Sequence, residues 1–314
     1  MQVRRVILAL SAAALMAACS SSGSSSSNTS VPAGPTTTTR ANGASTTTTA
    51  TGATGATGAT TSTAVGATTS AADTTTTLDT TTKLEVLVTN DDGITAAGLD
   101  AVVTALKAMP NITVDVVAPS TNQSGTSDTT TPGGAKGHDA TTKSGVKGTA
   151  VDGYPADSVN YAIDTLKLHP DLVVSGANSG VNFGPLVAVS GTVGAARAAA
   201  RRGIPAIAVS AGINDAPSAA TGAQFVVAEI NAHRSSYGVD KNTAHTVASI
   251  NVPTCATGTS VRGIVDVPTS TSVKLADVGK FLTYDCGSTA TNPVDDVTAL
   301  NIGFASRSIV PADL

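Results

Sequence analysis

Residues Lys83–Leu99 read KLEVLVTNDDGITAAGL, and this stretch restricts the fold more than any other in the chain. Leu84–Val88 is a short apolar run rich in Val and Leu and bounded by turn residues, the pattern of a strand buried in a parallel sheet. Leu99, Val102, Val103 and Leu106 recur at helical spacing, so a helix follows and stops before Pro110. Asp91 and Asp92 therefore fall where a strand ends and a helix begins, the edge at which open α/β sheets bind ligands. Neighbouring carboxylates repel, and holding both ionised needs a cation or strong donors. Their hard oxygens suit Mg²⁺, Mn²⁺ or Ca²⁺. Asn, Asp and Gly are also turn residues, so this stretch by itself is read equally well as a metal site or as an acidic turn.

The same unit recurs down the chain. Ile112–Ala118, ITVDVVA, predicts a second strand that ends at Pro119 and opens into the polar loop Ser120–Ser127, whose hydroxyls could ligate a metal or a phosphate. Asp171–Ser175, DLVVS, predicts a third strand opening into GANSGVNFG, Gly176–Gly184, where glycines allow close backbone approach to a ligand. Ser190-Gly191-Thr192 starts an Ala-rich helix running to about Arg202. Ser190 suits the N-cap, and the helix start suits an anion. Ile204–Ser210 and Thr246–Val252 read as further strands, with a helix around Phe225–Ile230 between them. Val261–Val265 and Leu300–Ala305 also read as strands. Thr129–Gly148 is polar and Gly-rich, a hairpin or an irregular excursion in which His138 and Asp139 face solvent, and Pro155 opens another helix with Val159, Ile163 and Leu166 on one stripe. Alternating strands and helices predict a three-layer αβα, Rossmann-like domain around a mostly parallel sheet.

That domain occupies residues 83–314. Residues 1–19 carry Arg4 and Arg5, then an apolar run from Val6 to Ala18, an export signal too short to span a bilayer comfortably. The ending LMAAC resembles a bacterial lipoprotein signal, in which Cys19 would be lipidated; an ordinary signal peptide with Cys19 incidental is the other reading. Residues 20–82 are Ser-, Thr-, Gly- and Ala-rich with almost no large apolar side chains, a composition expected of a disordered tether. The whole pattern is that of an exported protein, secreted or anchored by lipid at the outer face of the membrane. In an oxidising compartment Cys255 and Cys286 would pair, with two buried free thiols as the alternative. The net charge is −4 and no basic stripe is present, so the chain has no footprint for a nucleic-acid duplex.

Three ordered motifs carry a resemblance to the SurE family of metal-dependent 5′/3′-nucleotidases: VLVTNDDGI, VVAPSTNQSGTS, and DLVVSGANSGVNFG followed by SGTVGAARAAARRGIPAIAVS. The resemblance covers about residues 84–306. It implies one divalent ion, Mg²⁺ or Mn²⁺, on Asp91, Asp92, Ser124 and Asn178, with Asp91 and Asp92 catalytic. It implies phosphate or substrate contacts from Asn90, Gly176, Asn182, Ser190, Gly191 and Thr192. The implied activity is hydrolysis of nucleoside monophosphates or related phosphomonoesters by metal-activated water, either as a nucleotidase or in the manner of an acid phosphatase. A homodimer is among the family's assemblies. This chain departs from the family pattern at Leu186 and Val189, where many members carry an acid and an aromatic or His, and at Ala198, where a Glu is common. Those departures keep a second expectation alive: a non-catalytic envelope lipoprotein of the same fold that binds nucleotide or phosphate.

Overall fold

The computed structural model describes residues 79–212, 216–238 and 245–313. The signal, Cys19 and nearly all of the expected tether lie outside the described residues.

The central strand is β1 (Leu84–Thr89), buried at every position but Glu85. It lies between β2 (Ile112–Pro119) and β5 (Leu172–Ser179), parallel to both. On one side of this core, β4 (Lys147–Asp152) pairs parallel with β2, and β3 (Lys136–Thr141) closes the edge antiparallel to β4. On the other side follow β6 (Ala206–Ala211) and β7 (Thr246–Asn251), both parallel, then β9 (Ala305–Pro311) antiparallel to β7, and β8 (Ile264–Asp266) at the edge. The sheet order is β3-β4-β2-β1-β5-β6-β7-β9-β8.

Side-chain alternation along the strands separates two cores. Val86 and Val88 of β1 face α1 (Ala97–Lys107) and α4 (Ala216–His233), packing with Leu99, Val102, Leu106, Val226 and Ile230. Leu87 points the other way, to α2 (Pro155–Asn160) and α3 (Gly191–Ala200), against Val159, Val193 and Ala196. Helices thus cover both faces of the sheet, as parallel strands require. The alanines of α3 let it lie close on the sheet: every residue of this helix is buried.

The fold departs from the sequence reading in two places. The strand predicted at Asp171–Ser175 continues to Ser179, with an irregularity between Ser175 and Asn178, so Asn178 belongs to the C-terminal end of a strand and not to a free loop. Leu300, read as strand, closes helix α5 (Asp296–Asn301), and the strand starts at Ala305. Asp295 explains the difference. Its carboxylate accepts from Thr298 N at 2.8 Å while the Thr298 hydroxyl returns to Asp295 N at 3.0 Å, a capping box that nucleates a helix with Val297 and Leu300 on its buried face. The excursion at Thr129–Gly148 contributes the β3–β4 hairpin, with His138 and Asp139 exposed.

Two anchors brace segments outside the regular elements. Arg234 is 1% exposed and donates to the carbonyls of Thr82, Pro110 and Asn111, tying down the entry to β1. Cys255 and Cys286 form a disulfide with Cα atoms 5.6 Å apart. Among the described residues, no helix is long and apolar enough to cross a membrane.

Gly98 offers a sharp test of the packing between α1 and β5. Alanine is the better helix former by about 1 kcal/mol. Here, however, a Cβ would fall 1.8 Å from the Ala177 carbonyl oxygen. Gly98→Ala is expected to destabilise the protein by about 1–3 kcal/mol in urea unfolding, and a stabilised variant would refute the contact. Replacing both Cys255 and Cys286 by Ser should lower stability by about 2–4 kcal/mol, read the same way.

Candidate active site

Thr89 ends β1, and the Asn90-Asp91-Asp92-Gly93 turn follows. Asn90 shapes this turn: its Nδ2 donates to Gly93 O at 3.0 Å and its Oδ1 accepts from Gly93 N at 3.2 Å. Gly93 takes the positive φ (+104°) that the turn demands. The two acids are thereby sent in different directions.

Asp91 is 2% exposed. Its Oδ1 accepts from the Thr192 hydroxyl at 2.6 Å, which draws it to the first turn of α3. Gly191 permits the approach, since a Cβ there would fall 2.9 Å from Asp91 Cβ and 3.0 Å from Oδ2. Ser190 caps the helix, its Oγ accepting from Val193 N at 3.1 Å. Burial is the main cause that raises the Asp91 carboxyl to about 6, and the charge of Asp92 adds to it, while the Thr192 bonds oppose. Asp92 opens into a cleft of about 320 Å³ whose lining includes Asn122, Asn178 and Ser179. Its Oδ2 accepts from Ser179 N at 2.9 Å and its Oδ1 from Asn122 Nδ2 at 3.2 Å. Burial raises its carboxyl too.

The Ser120–Ser127 loop is laced over this pair. Gln123 N donates to Asp91 O at 2.7 Å, Ser127 N to Val189 O at 3.1 Å, and the Ser127 hydroxyl to Ala188 O at 2.7 Å. Ser124 is exposed on the loop, its N–H held by Asn122 Oδ1 at 2.9 Å. Asn178 donates through Nδ2 to Gly180 O at 2.6 Å, which leaves Oδ1 as its remaining polar atom at the cleft. The structure thus gathers Asp91, Asp92, the Ser124 loop, Asn178 and the Ser190-Gly191-Thr192 helix start at one sheet edge.

Other sequence-selected residues are placed differently. Gly176 is buried in β5, where a Cβ would fall 2.2 Å from Val209 O. Asn182 is occupied by the scaffold: its N–H donates to Asn251 Oδ1 at 2.6 Å and its Nδ2 to Ser210 Oγ at 2.8 Å. Leu186 packs beside the Phe183 cluster, Val189 is exposed and Ala198 lies in the core against the sheet. None of these three supplies a hydrogen bond to Asp91 or Asp92. Asn122 and the Ser179 amide were missed by sequence reasoning. Asn122 lay in a polar loop with no signal to separate it from its neighbours, and a backbone amide carries no residue signature.

The donor set fits a hard divalent cation. It offers two carboxylates, one amide oxygen and one hydroxyl. Among the described residues no Lys, Arg or His pairs with either carboxylate, so no cationic side chain balances the adjacent acids. No group of three or more His, Cys, Asp or Glu that could hold a metal occurs among the described residues, so the site depends on neutral oxygens as well.

A family model described as Survival protein SurE matches residues 86–274, more than half of the chain. The 5′-nucleotidase SurE of Halobacterium salinarum is 49% identical over 127 residues, covering 40% of this chain and 46% of that protein. The 5′-nucleotidase SurE of Pelobacter propionicus is 37% identical over 180 residues, 55% of this chain and 67% of that protein. The chain therefore spans between about half and two thirds of these relatives. The crystal structure of the SurE protein from Aquifex aeolicus superposes with a TM-score of 0.58 at 25% identity, over 73% of this chain and 94% of that one.

The raised Asp91 carboxyl has a consequence for stability once metal is chelated. Its folded value, about 6, exceeds the roughly 3.9 of an unfolded Asp, so the native state binds the extra proton between those values. Stability of the chelated protein should fall as pH rises from 4 to 6 and level off above. Asp91→Asn should reduce this slope, to which the raised Asp92 carboxyl also contributes, and raise stability at pH 7.5 by roughly 2–3 kcal/mol. Urea unfolding in chelator at pH 4.5 and 7.5 reads both; an equal change at the two pH values would contradict the assignment.

Proposed function

The chain belongs to the SurE family, and from that premise we propose that it is a metal-dependent phosphomonoesterase acting on nucleoside monophosphates or related esters. The observation that carries this reading is the pairing of Asp91 and Asp92, without a cationic partner among the described residues, beside the first turn of α3 and the cleft at Asn178. Asp91, Asp92, Ser124 and Asn178 would hold one Mg²⁺ or Mn²⁺. When bound, such an ion supplies charge stabilisation at a phosphoryl group and lowers the pKa of water.

The protein's own residues supply the remainder. The start of α3 turns its positive dipole end toward the site, while its Val193 amide is capped by Ser190 and its Thr192 amide faces Asp91. Gly191 lets Asp91 close onto that helix start. Thr192 holds Asp91 in one orientation through its 2.6 Å bond, and Asn122 and the Ser179 amide do the same for Asp92. Asp91 then serves as the group that orients or accepts the proton of the attacking water. Asp92 and Asn178 present acceptor oxygens at the cleft, where the ion they would hold, and not these oxygens, would attract a phosphate. Stabilising charge with groups already in place is the main demand of phosphoryl transfer. In the cell, we place this activity outside the cytoplasm, on a protein exported by residues 1–19 and held by a lipid on Cys19.

Phosphate release from nucleoside monophosphates and from an aryl phosphate, measured with Mg²⁺ or Mn²⁺ and after chelation, tests the reading. Metal-dependent turnover is expected, with Asp92→Asn lowering kcat at least 100-fold by order of magnitude. Absence of turnover with either metal would leave a nucleotide-binding protein of the same fold. Turnover indifferent to Asp92→Asn would remove the assigned site.

A further inference from the structure

A second pocket, of about 200 Å³, adjoins the cleft at Asp92 and is lined by Val181, Gly212, Thr254, Leu282 and Tyr284. Gly212 lines both cavities. Its lack of a side chain is a requirement here, because a Cβ would fall 1.5 Å from Thr254 Oγ1. The two spaces are thus neighbours that share Gly212, with the Thr254 hydroxyl packed onto its backbone.

One wall is an arm that the rest of the fold holds firmly. The Cys255–Cys286 disulfide ties the residue after Thr254 to the one two places beyond Tyr284. Asp285 N donates to Asn301 O at 2.9 Å, and the Asn301 amide reaches Phe281 O at 2.8 Å and Thr283 O at 3.0 Å. Gly303 packs so closely that a Cβ would fall 2.5 Å from Cys286 Cα. Such a wall loses little freedom when a ligand arrives. Its chemistry is specific. Among the described residues, no charged side chain lines the pocket. Leu282 stays 39% exposed although it is a large apolar residue. The Tyr284 ring packs beside the Phe183 cluster, and its phenol has no hydrogen-bond partner among the described residues. Burial pushes that phenol up to about 12, so it is a neutral donor.

We propose that Val181, Thr254, Leu282 and Tyr284 form the subsite for a nucleobase, whose phosphate lies in the adjoining cleft at Asp92 and Asn178. An uncharged pocket with an aromatic ring, aliphatic walls, one hydroxyl and one phenol suits a flat heterocycle and excludes a second phosphate. Stacking on an aromatic face tolerates any base, so Tyr284 selects for a base and not for which one. Leu282 and Tyr284 lie beyond residue 274, where the family match ends, whereas Val181 and Thr254 lie within it. The inference rests on the phosphomonoester reading above and deepens it.

Calorimetric affinities of the full chain for adenosine 5′-monophosphate and for glycerol phosphate, each with Mn²⁺, test the subsite. The wild type should prefer the nucleotide, and Tyr284→Ala should cut that preference roughly tenfold. Leu282→Ala, a partly exposed position whose loss spares the core, should cut it in the same direction, whereas Tyr284→Phe should retain most of it. Equal wild-type affinities, or a preference untouched by both Tyr284→Ala and Leu282→Ala, would overturn the proposal. Hydrolysis of both compounds is scored separately by phosphate release. A wild type that prefers the nucleotide yet turns over neither compound would sink the hydrolase reading and uphold the subsite.

Discussion

The bond from the Thr192 hydroxyl to Asp91 Oδ1, 2.6 Å long and buried, joins the end of the central strand to the start of α3. A carboxylate in this position is strongly desolvated, and the structure meets the difficulty with a helix N-terminus and a hydroxyl. Much else depends on that junction. Gly191 must lack a side chain so that the helix can come close. The alanines of α3 let the whole helix settle onto the sheet. The Ser120–Ser127 loop closes over the junction by bonding to Asp91 on one side and to the residues before α3 on the other.

Asp91 and Asp92 show how adjacent residues of one type acquire separate roles. The turn that Asn90 and Gly93 impose sends one acid into the interior and the other into the cleft. Burial raises both carboxyls, but their partners differ: a hydroxyl at the helix for Asp91, a backbone amide and a side-chain amide for Asp92. The protein has built an anionic pair with donors arranged around it and, among the described residues, no cationic side chain to neutralise it. That unbalanced charge defines the site more sharply than any single residue does.

Much of this is legible in the amino-acid sequence. Val86, Leu87 and Val88 form a run that only a sheet covered on both faces can bury, and the Asp pair at its end marks the ligand edge. The three motifs share one edge because parallel strands present all their C-terminal ends together. The features that escape a sequence reading depend on contacts between distant residues. The Ser179 amide reaches Asp92 across 87 positions, and the irregularity that carries Asn178 onto a strand depends on β6 beside it. Leu300 was misread because an apolar residue near a strand looks alike in either state, and the decisive signal was the Asp295 cap upstream. The Leu282–Tyr284 arm has no periodicity at all; its conformation comes from the disulfide and from Asn301.

Arg234 bears on a matter of direction. By gripping the Thr82, Pro110 and Asn111 carbonyls it secures the point where the chain enters β1. The six residues of β1 then separate that entry from Asp91 by roughly 20 Å of extended backbone. The entry to the strand is anchored by a guanidinium and three carbonyls at one end of the sheet, while the Asp91–Asp92 pair lies at the other. Anchor and candidate site therefore occupy opposite ends of the same strand.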